Sequence, residues 1–386
     1  MEYYTAIGID VSDRTSKICV LTKIGGSRRI VEETTVATTK EGFSEYLADK
    51  SRAWPVTFET GVHCRWMASH VRGMGFKVFV ANPAKLKQLT ESNTKNDTND
   101  ARELARYTLA DVELLHPVFL RAEPYQQMIR LLEARRALVG TRTKLINAMR
   151  GFAKSMGFRI PKRDADYFHH LDRRMWPKDL ECLCWPLMDV LETVSVKIRA
   201  LEKQMRDLAE TGEFKSDVER VRQVFGIGFF CSVAYVAFLG GNYGRFAKAR
   251  DVGPYLGLVP KQDQSGDIDR QLSITKAGST MLRTLLTECA QVVLKDSAKM
   301  TDLKLKGLRI AGRKSANSRK RAITAIVRGL AVTMMALLKL PEREYKPISE
   351  RNQQLLERIS AEQAVQAAWG IGLKRQDRAK PSRNGS

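Results

Sequence analysis

The sequence predicts a mixed α/β domain at the N-terminus, followed by mainly helical segments. Over roughly the first hundred residues, short apolar runs rich in β-branched residues alternate with turn residues, which is typical of strands. From Glu123 onward, apolar residues recur at three- and four-residue steps, which is the period of an α-helix. A chain of 386 residues with 43% hydrophobic residues can form two or three buried cores.

Five strands and three helices are predicted in the N-terminal domain. The strands are Tyr4–Asp10, Lys17–Lys23, Arg28–Ala37, Pro55–Thr60 and Lys77–Asn82, and the helices begin near Lys40, Cys64 and Asn99. Their order is β-β-β-α-β-α-β-α, a meander of three strands followed by crossovers. This order is found in ribonuclease H-like folds, in which the first and fourth strands are neighbours.

The remainder of the chain divides into three predicted parts. Two long helical segments, 127–157 and 187–210, flank a less regular patch at 161–186 and predict an antiparallel hairpin. A helix–GIG–helix pattern opens a mainly helical domain near Val218. The predicted boundaries are 1–122 for the α/β domain, 123–215 for the hairpin, 216–345 for the C-terminal domain and 346–386 for a basic, partly disordered tail.

The net charge of +22 predicts a polyanionic partner. Two runs lack any acidic residue, Ala134–Arg163 and Leu303–Pro341, whereas a merely solvated helix face would mix acids among the bases. We therefore interpret both runs as binding nucleic acid, because cations that neutralise phosphates release counterions. The candidate residues are Arg135, Arg136, Arg142, Lys144, Arg150, Arg313, Lys314, Arg319, Lys320 and Arg321.

The competing interpretation of this charge is a membrane surface. We find no apolar run of about 18 residues and no secretory signal, so no membrane partner is expected. Six scattered cysteines in a long chain favour reduced thiols over a disulfide framework. We expect a cytoplasmic protein.

Four carboxylates occupy positions at which a ribonuclease H-like fold would bring them together. Asp10 ends the first strand, Glu59 ends the fourth, and Asp97 and Asp100 lie three residues apart at the start of a helix. Like charges held together need a cation between them. Oxygen ligands select Mg²⁺ or Mn²⁺, and two such ions could support phosphoryl transfer. Taken singly, Asp97 could be a helix N-cap and Asp100 a favourable first-turn charge.

Other arrangements fit less well. An actin-like ATPase would need a second glycine-rich phosphate loop and an adenosine-binding glycine motif downstream, and we find neither. The absence of a GxxxxGK[ST] phosphate loop counts against an ATP-driven transposition partner. His169, His170, Cys182 and Cys184 do not have the usual spacing of a zinc site. A tyrosine recombinase needs a histidine near its arginines, and no histidine follows His170.

The motifs GIDVS, FETG, KNDTNDA, GIG, YLGLVP and QSG occur in an order that resembles the DEDD transposases of bacterial insertion sequences, a group that includes the Piv-type DNA invertases. The resemblance covers Tyr4 to Leu340. It implies a RuvC-like N-terminal domain, a coiled-coil hairpin and a C-terminal transposase domain. It also implies a catalytic tetrad of Asp10, Glu59, Asp97 and Asp100, with Ser265 as nucleophile. Asn96 stands where the family usually has threonine.

The resemblance further implies a structured noncoding guide RNA that pairs with target and donor DNA. We expect a homodimer that pairs into a tetramer on DNA, since strand exchange needs several active sites. On its own, Ser265 in its polar loop could be a turn residue. Ser273 and Ser279 are the fallback nucleophiles, although both are predicted to lie at helix starts. The alternatives are a RuvC-like Holliday-junction resolvase, a Piv-type site-specific invertase, or a nucleic-acid-binding protein with a degenerate metal site.

Overall fold

A computed structural model of the protein describes residues 4–86, 97–174, 176–265, 268–313 and 317–358. The chain divides into two compact units between Leu120 and Arg121. The finer division into the domains 1–122, 123–215 and 216–345 stays a prediction.

The first unit contains a five-stranded mixed sheet with the strand order β3-β2-β1-β4-β5. The predicted order of strands and helices is confirmed, as is the expectation that the first and fourth strands are neighbours, and the sheet is compatible with a ribonuclease H-like fold. Strands β1, β2 and β3 pair antiparallel, whereas β1, β4 and β5 pair parallel. The strands are β1 Thr5–Val11, β2 Thr15–Ile24, β3 Ser27–Ala37, β4 Val56–Glu59 and β5 Val78–Ala81. The helices are α1 Lys40–Leu47, α2 Cys64–Gly73, α3 Pro83–Leu86 and α4 Asp97–Ala110, and a 3-10 turn follows at Val112–Leu115.

The two faces of the sheet have different roles because side chains alternate along a strand. In β1, Ile7 and Ile9 point into the main core with residues of α1 and α2 such as Phe43 and Met67. Ala6 on the opposite face belongs to a separate small cluster with residues of α4. The α4 face of β1 therefore carries Ala6, Gly8 and Asp10.

The second unit begins with two long helices that run antiparallel, α5 Glu123–Ser155 and α6 Lys178–Ala209. Near the start of α5, Met128 shares a core with Met205 of α6, whereas near its end Met149 shares a core with Cys184. The interpretation of residues 161–186 as an irregular patch is wrong from Lys178 onward, where α6 begins. Pro186 lies inside this helix, and the buried residues around it continue at helical spacing. Burial of their apolar side chains offsets the free energy that a proline costs inside a helix.

The C-terminal part of this unit packs around the apolar helix α8, Phe229–Leu239. The helices are α7 Gly212–Arg222, α8 Phe229–Leu239, α9 Val252–Tyr255, α10 Thr280–Val293, α11 Asp302–Ala311, α12 Ser318–Lys339 and α13 Glu350–Arg358, with 3-10 turns at Ala165–His170, Tyr243–Arg245 and Ala249–Asp251. Only α12 is long and apolar enough to cross a membrane within the described ranges, and half of that stretch is buried in the core. Its Ala331 carbonyl accepts a hydrogen bond of 2.6 Å from the buried Tyr235 hydroxyl.

A small β-hairpin interrupts these helices. It consists of β6 Pro260–Ser265 and β7 Ile268–Ile274, which pair antiparallel. The prediction of a polar loop around Ser265 is therefore wrong, because the segment pairs with the following residues. Ser273 lies in β7 and not at a helix start, whereas Ser279 caps α10 as predicted, since its hydroxyl accepts from the Leu282 amide at 3.3 Å.

The predicted tail is partly helical, because α13 lies within it. The prediction of partial disorder falls mainly on residues 359–386, which lie outside the described residues.

Candidate functional site

The register of the central strands places Asp10 beside Glu59. Ile9 pairs with Phe58 in the parallel ladder between β1 and β4, so Asp10 and Glu59 are the next residues of each strand. Gly8 of β1 and Thr57 of β4 lie on the face of the sheet that α4 covers. Side chains two residues apart in a strand share a face, so Asp10 and Glu59 lie on that face as well. Each is half-buried.

Helix α4 lies directly on this face because Gly8 has no side chain. A Cβ atom at Gly8 would come within 2.6 Å of the Ala105 nitrogen and would overlap the Ala101 carbonyl oxygen. A hydrogen bond of 2.7 Å between the buried hydroxyls of Thr57 and Thr108 joins the same helix to β4. The helix is therefore held against the sheet by close backbone packing and by a buried polar contact.

The first turn of α4 lies near the ends of β4 and β5. Leu104 shares a buried cluster with Ala81, and Ala81 is the register partner of Glu59. Asp97 and Asp100 precede Leu104 by seven and four residues, which places them on the same side of the helix. Asp100 is exposed, and for Asp97 the structure describes only the backbone.

The fold thus brings the backbones of the four predicted carboxylate residues to one end of the sheet. Carboxylate oxygens are the donors that Mg²⁺ and Mn²⁺ prefer, so the donor set fits such an ion. Among the side chains that the structure describes, no three His, Cys, Asp or Glu groups form a metal cluster, and Asp97 is outside that set.

Lys17 is a neighbour of this site that the sequence motifs do not indicate. It is the register partner of Asp10 on β2, and its Nζ donates a hydrogen bond of 2.9 Å to the Thr35 hydroxyl. Cross-strand partners have side chains on the same face, so Lys17 and Asp10 share a face of the sheet, while the Lys17 ammonium contacts Thr35 on β3. Only the pairing of β1 with β2 could have revealed it.

A row of cross-strand partners links α4 to the edge of the sheet. Gly8 pairs with Cys19, and Cys19 pairs with Glu33. The Glu33 carboxylate accepts two hydrogen bonds from Arg102 of α4, one from Nε and one of 2.7 Å from Nη2. The hydrogen bond from Arg102 lowers the pKa of Glu33, and burial raises the pKa of the Cys19 thiol to about 11.

Ser265 belongs to the other unit and ends β6, opposite Ile268. Gly266 and Asp267 lie outside the described residues, and for Ser265 only the backbone is described. The base of the hairpin is anchored: the Thr275 amide donates to the Val259 carbonyl at 2.9 Å and the Lys276 amide to Gly257 at 3.1 Å. The structure therefore places the predicted nucleophile at the tip of a short hairpin.

The first basic run contains both structural and exposed cations. Arg142 is buried and ion-paired with Asp166, and Arg135 is paired with Glu202 at 2.7 Å. Asp166 and Glu202 both lie outside this run in the sequence. A run without acidic residues can therefore still contain arginines that pair with carboxylates in the folded protein. Arg136 and Lys144 are exposed, and Arg150 is half-buried over the Phe168 ring.

The second basic run forms the tip of a helical pair. Leu303 of α11 meets Gly329 of α12, and Gly307 meets Ile326, so the helices run antiparallel. The predicted contact residues follow the end of α11 or occupy the first turn of α12. Those described are exposed, namely Arg313, Arg319, Lys320 and Arg321, whereas Lys314 lies outside the described residues.

A mixed sheet with carboxylates at the ends of adjacent parallel strands, joined to a basic helical unit, is compatible with the DEDD class of nucleic-acid enzymes. Two family models match the chain: a transposase model of the DEDD, IS110 type over residues 7–157, and the Transposase IS116/IS110/IS902 family over residues 218–304. The chain belongs to this family of insertion-sequence transposases, which are DNA-recombining enzymes.

Individual relatives agree. The transposase for insertion sequence element IS1111A of Coxiella burnetii is 29% identical over 281 residues, which is 70% of this chain and 73% of the relative. The transposase for insertion sequence element IS1328 of Yersinia enterocolitica is 28% identical, over 62% of this chain and 70% of its own length. A probable family 20 transposase of Pseudomonas aeruginosa is 28% identical, over 66% of this chain and 75% of its own length.

Proposed function

We propose that this transposase cuts and rejoins DNA at a divalent-metal site formed by Asp10, Glu59, Asp97 and Asp100. The observation that carries the proposal is the register of β1 and β4, which makes Asp10 and Glu59 neighbours beneath the first turn of α4.

The carboxylates would hold Mg²⁺ or Mn²⁺, which when bound stabilise charge on the attacking and leaving oxygens of phosphoryl transfer. Asp10 and Glu59 are presented by adjacent strands and need little rearrangement. Lys17 on the neighbouring strand is positioned to contact a non-bridging phosphate oxygen of the DNA.

We assign the role of nucleophile to Ser265. Its Oγ attacks the scissile phosphorus and loses its proton to a nearby base. The phosphorus–oxygen bond to the leaving nucleotide then breaks, and that oxygen takes up a proton. The product is a phosphoserine ester, which conserves the phosphodiester bond energy for rejoining without ATP. Because the carboxylates and Ser265 are on different units, we propose that a tetrad from another subunit completes the site in a homodimer that pairs into a tetramer on DNA.

The tetrad is tested with Asp10→Asn and Glu59→Gln. We expect each to lower recombination on the order of 1000-fold, since bound metal supplies several kcal/mol of charge stabilisation. Nucleic-acid binding should change little, because the basic surfaces are untouched. Product analysis on plasmid DNA distinguishes joined recombinants from the nicked or resolved products of a Holliday-junction resolvase. Full activity in excess chelator would refute the metal assignment.

The serine is tested with a nicked suicide substrate that traps the covalent adduct. We expect wild-type protein to form a denaturation-resistant protein–DNA species and Ser265→Ala to form none, with Ser273→Ala as the matched control on β7. An adduct in Ser265→Ala, or none in wild type, would show that the assignment is wrong.

We further propose that target and donor DNA and a structured guide RNA bind the exposed basic residues of both runs. The support is the exposure of Arg136, Lys144 and the α11–α12 tip on a chain of net charge +22. Sequencing of copurifying RNA tests the guide: one defined structured RNA is expected, and random host fragments would exclude it.

Mass measurement with and without nucleic acid tests the oligomeric state, and a monomer on DNA would contradict it. Fractionation should find the protein with the cytoplasmic nucleoid.

A further inference from the structure

The distal half of the α5–α6 hairpin carries two large aromatic side chains on its surface. Tyr167, in the 3-10 turn between the helices, is 54% exposed, and Trp185 of α6 is 56% exposed. Aromatic groups of this size are usually buried, and a pair on the surface of one segment indicates a ligand with flat apolar faces. Neither residue takes part in the proposed chemistry.

This surface is rigid because it rests on a core of its own. Phe168, next to Tyr167, is fully buried with Met149 of α5 and Leu180 of α6. The turn is also fastened to α5 by the ion pair between Asp166 and Arg142. The aromatic rings therefore project from a fixed support, so that stacking on them costs little conformational entropy.

The Trp185 ring already stacks with a cation. The guanidinium carbon of Arg173 lies 4.2 Å from the ring centroid, a cation–π contact. An indole with a guanidinium on it and more than half of its surface exposed can still receive a second flat group. Nucleobases stack on aromatic rings and on arginine planes in this way.

The charge around the rings is complementary to a phosphate backbone. Between Arg142 and Trp185 the chain contains ten basic and five acidic residues, a net charge of +5. Two of the five acids are already paired, Asp166 with Arg142 and Asp172 with Arg174, and Arg174 lowers the pKa of Asp172 to about 2. The remaining cations therefore outnumber the remaining acids.

We propose that the distal half of the hairpin binds an unpaired stretch of nucleic acid, whose bases stack on Tyr167 and Trp185 while the surrounding cations contact its phosphates. A duplex would leave the rings unused, since its bases are stacked within the helix. A protein partner would prefer a continuous apolar surface, which the exposed apolar residues of α6 do not form with Trp185. Leu183 and Val190 lie on other sides of the helix, and Val196, on the same side as Trp185, is eleven residues or about 16 Å further along the axis. Leu183 is about 200° away from Trp185, since each residue turns the helix by about 100°.

The test measures binding of fluorescently labelled 20-nucleotide strands to the full chain, freed of copurifying nucleic acid. Single-stranded RNA, single-stranded DNA and duplex DNA are compared in chelator, so that neither cleavage nor the metal site affects the result. We expect Tyr167→Ala with Trp185→Ala to weaken binding of at least one kind of single strand at least about 30-fold, since each of the two stacked bases contributes about 1–3 kcal/mol and about 1.4 kcal/mol is tenfold. Duplex affinity should change less than about twofold.

Two control variants separate stacking from folding and from general electrostatics. Trp185→Phe keeps an aromatic ring and should retain most of the affinity, whereas Leu183→Ala, on the other side of α6, should leave affinity unchanged. The aromatic contribution should persist at high salt, where phosphate contacts weaken. The comparison of RNA with DNA identifies which strand is bound. Equal losses for single strand and duplex, no loss at all, or a change in self-association instead of nucleic-acid binding would each overturn the proposal.

Discussion

The two β-structures of this protein hold their predicted catalytic residues in different ways. In the five-stranded sheet, Asp10 and Glu59 lie on adjacent inner strands, with helices packed on both faces. In the two-stranded hairpin, Ser265 lies at the end of β6 and, within the part of the chain that the structure describes, β6 pairs with β7 alone, whose Leu272 is about half exposed. A two-stranded hairpin is marginal on its own, whereas a covered sheet is rigid.

This difference suggests a division of tasks between the two sites. Asp10 and Glu59 are placed by the register of two inner strands, so we expect the positions of these two carboxylates to exist before DNA binds. The hydrogen bonds described for the hairpin of Ser265 include those that anchor its base to Gly257 and Val259, and we expect the final position of the serine to depend on the nucleic acid and on partner subunits. Changes near the sheet should therefore affect stability and chemistry together, whereas changes at the hairpin tip should affect chemistry alone.

The largest effect is expected for Gly8→Ala. The new methyl group would overlap the α4 backbone, so the helix must move away from β1. We expect the free energy of unfolding to fall by about 3 kcal/mol and recombination to be lost, because overpacking of this kind costs 1–3 kcal/mol or more. Denaturant unfolding measures the change. Gly73→Ala in α2, where a Cβ meets no atom, is the control and should be neutral or slightly stabilising. Equal effects of the two variants would contradict the close packing.

The ion pair between Glu33 and Arg102 offers a sharper test of how α4 is positioned. We expect Arg102→Glu to lower recombination about tenfold, as loss of a group that orients ligands does, and the double variant with Glu33→Arg to recover part of the loss. Stability should change less than about 1 kcal/mol, because the pair is partly exposed. Arg29→Glu is the control, because Arg29 is an exposed residue of β3, the strand that carries Glu33. Failure of the charge-reversed pair to recover any activity would argue against a positioning role.

Lys17 tests whether a cation beside Asp10 contributes to the chemistry. We expect Lys17→Gln to lower the rate of DNA cleavage about tenfold, since one electrostatic contact to the reacting phosphate is lost. Stability and overall DNA affinity should be close to wild type. Lys23→Gln, near the other end of β2, is the matched control. A parallel loss of DNA affinity would assign Lys17 to general binding instead.

Cys19 reports whether α4 is docked on the sheet. Burial raises the pKa of this thiol to about 11, so at pH 8 it should be alkylated on the order of 100-fold more slowly than the exposed Cys182. Gly8→Ala should speed its alkylation. Because the folded pKa exceeds the usual 9.0, the thiol's contribution to stability is complete below about pH 9 and is lost as the pH rises toward 11. Fast alkylation of Cys19 in the wild-type protein would show that α4 often moves away from the sheet and exposes the thiol.

The smallest structural effect is expected at the hairpin tip. Ser265→Ala should change the free energy of unfolding by less than about 0.5 kcal/mol while it abolishes the covalent adduct. Thermal unfolding measured beside the adduct assay tests both parts. A large loss of stability would mean that the hairpin tip is as firmly packed as the sheet, and the contrast between the two regions would disappear.

Much of the first unit could be predicted from sequence because its signals are local. Alternation of apolar residues along β1 and turn residues at Gly25 and Gly26 set the order of strands, and that order implies that β1 and β4 are neighbours. The start of α6 was missed because Pro186 is a local signal against a helix, and buried contacts with α5 outweighed it. The hairpin around Ser265 was missed because its strands are polar and lack the alternation that indicates a buried face.

The sequence by itself determined the element order, the basic character and the positions of the four carboxylates along the chain, because periodicity and composition are properties of neighbouring residues. Only the tertiary structure decided that Lys17 is the cross-strand partner of Asp10 and that Glu33 binds Arg102. It also decided that Asp166 pairs with Arg142, which removes a predicted nucleic-acid contact from the surface. These pairs depend on strand register and on packing between segments that are distant in the chain. A shift of one residue in register would turn every side chain of a strand to the other face, and no local pattern records it.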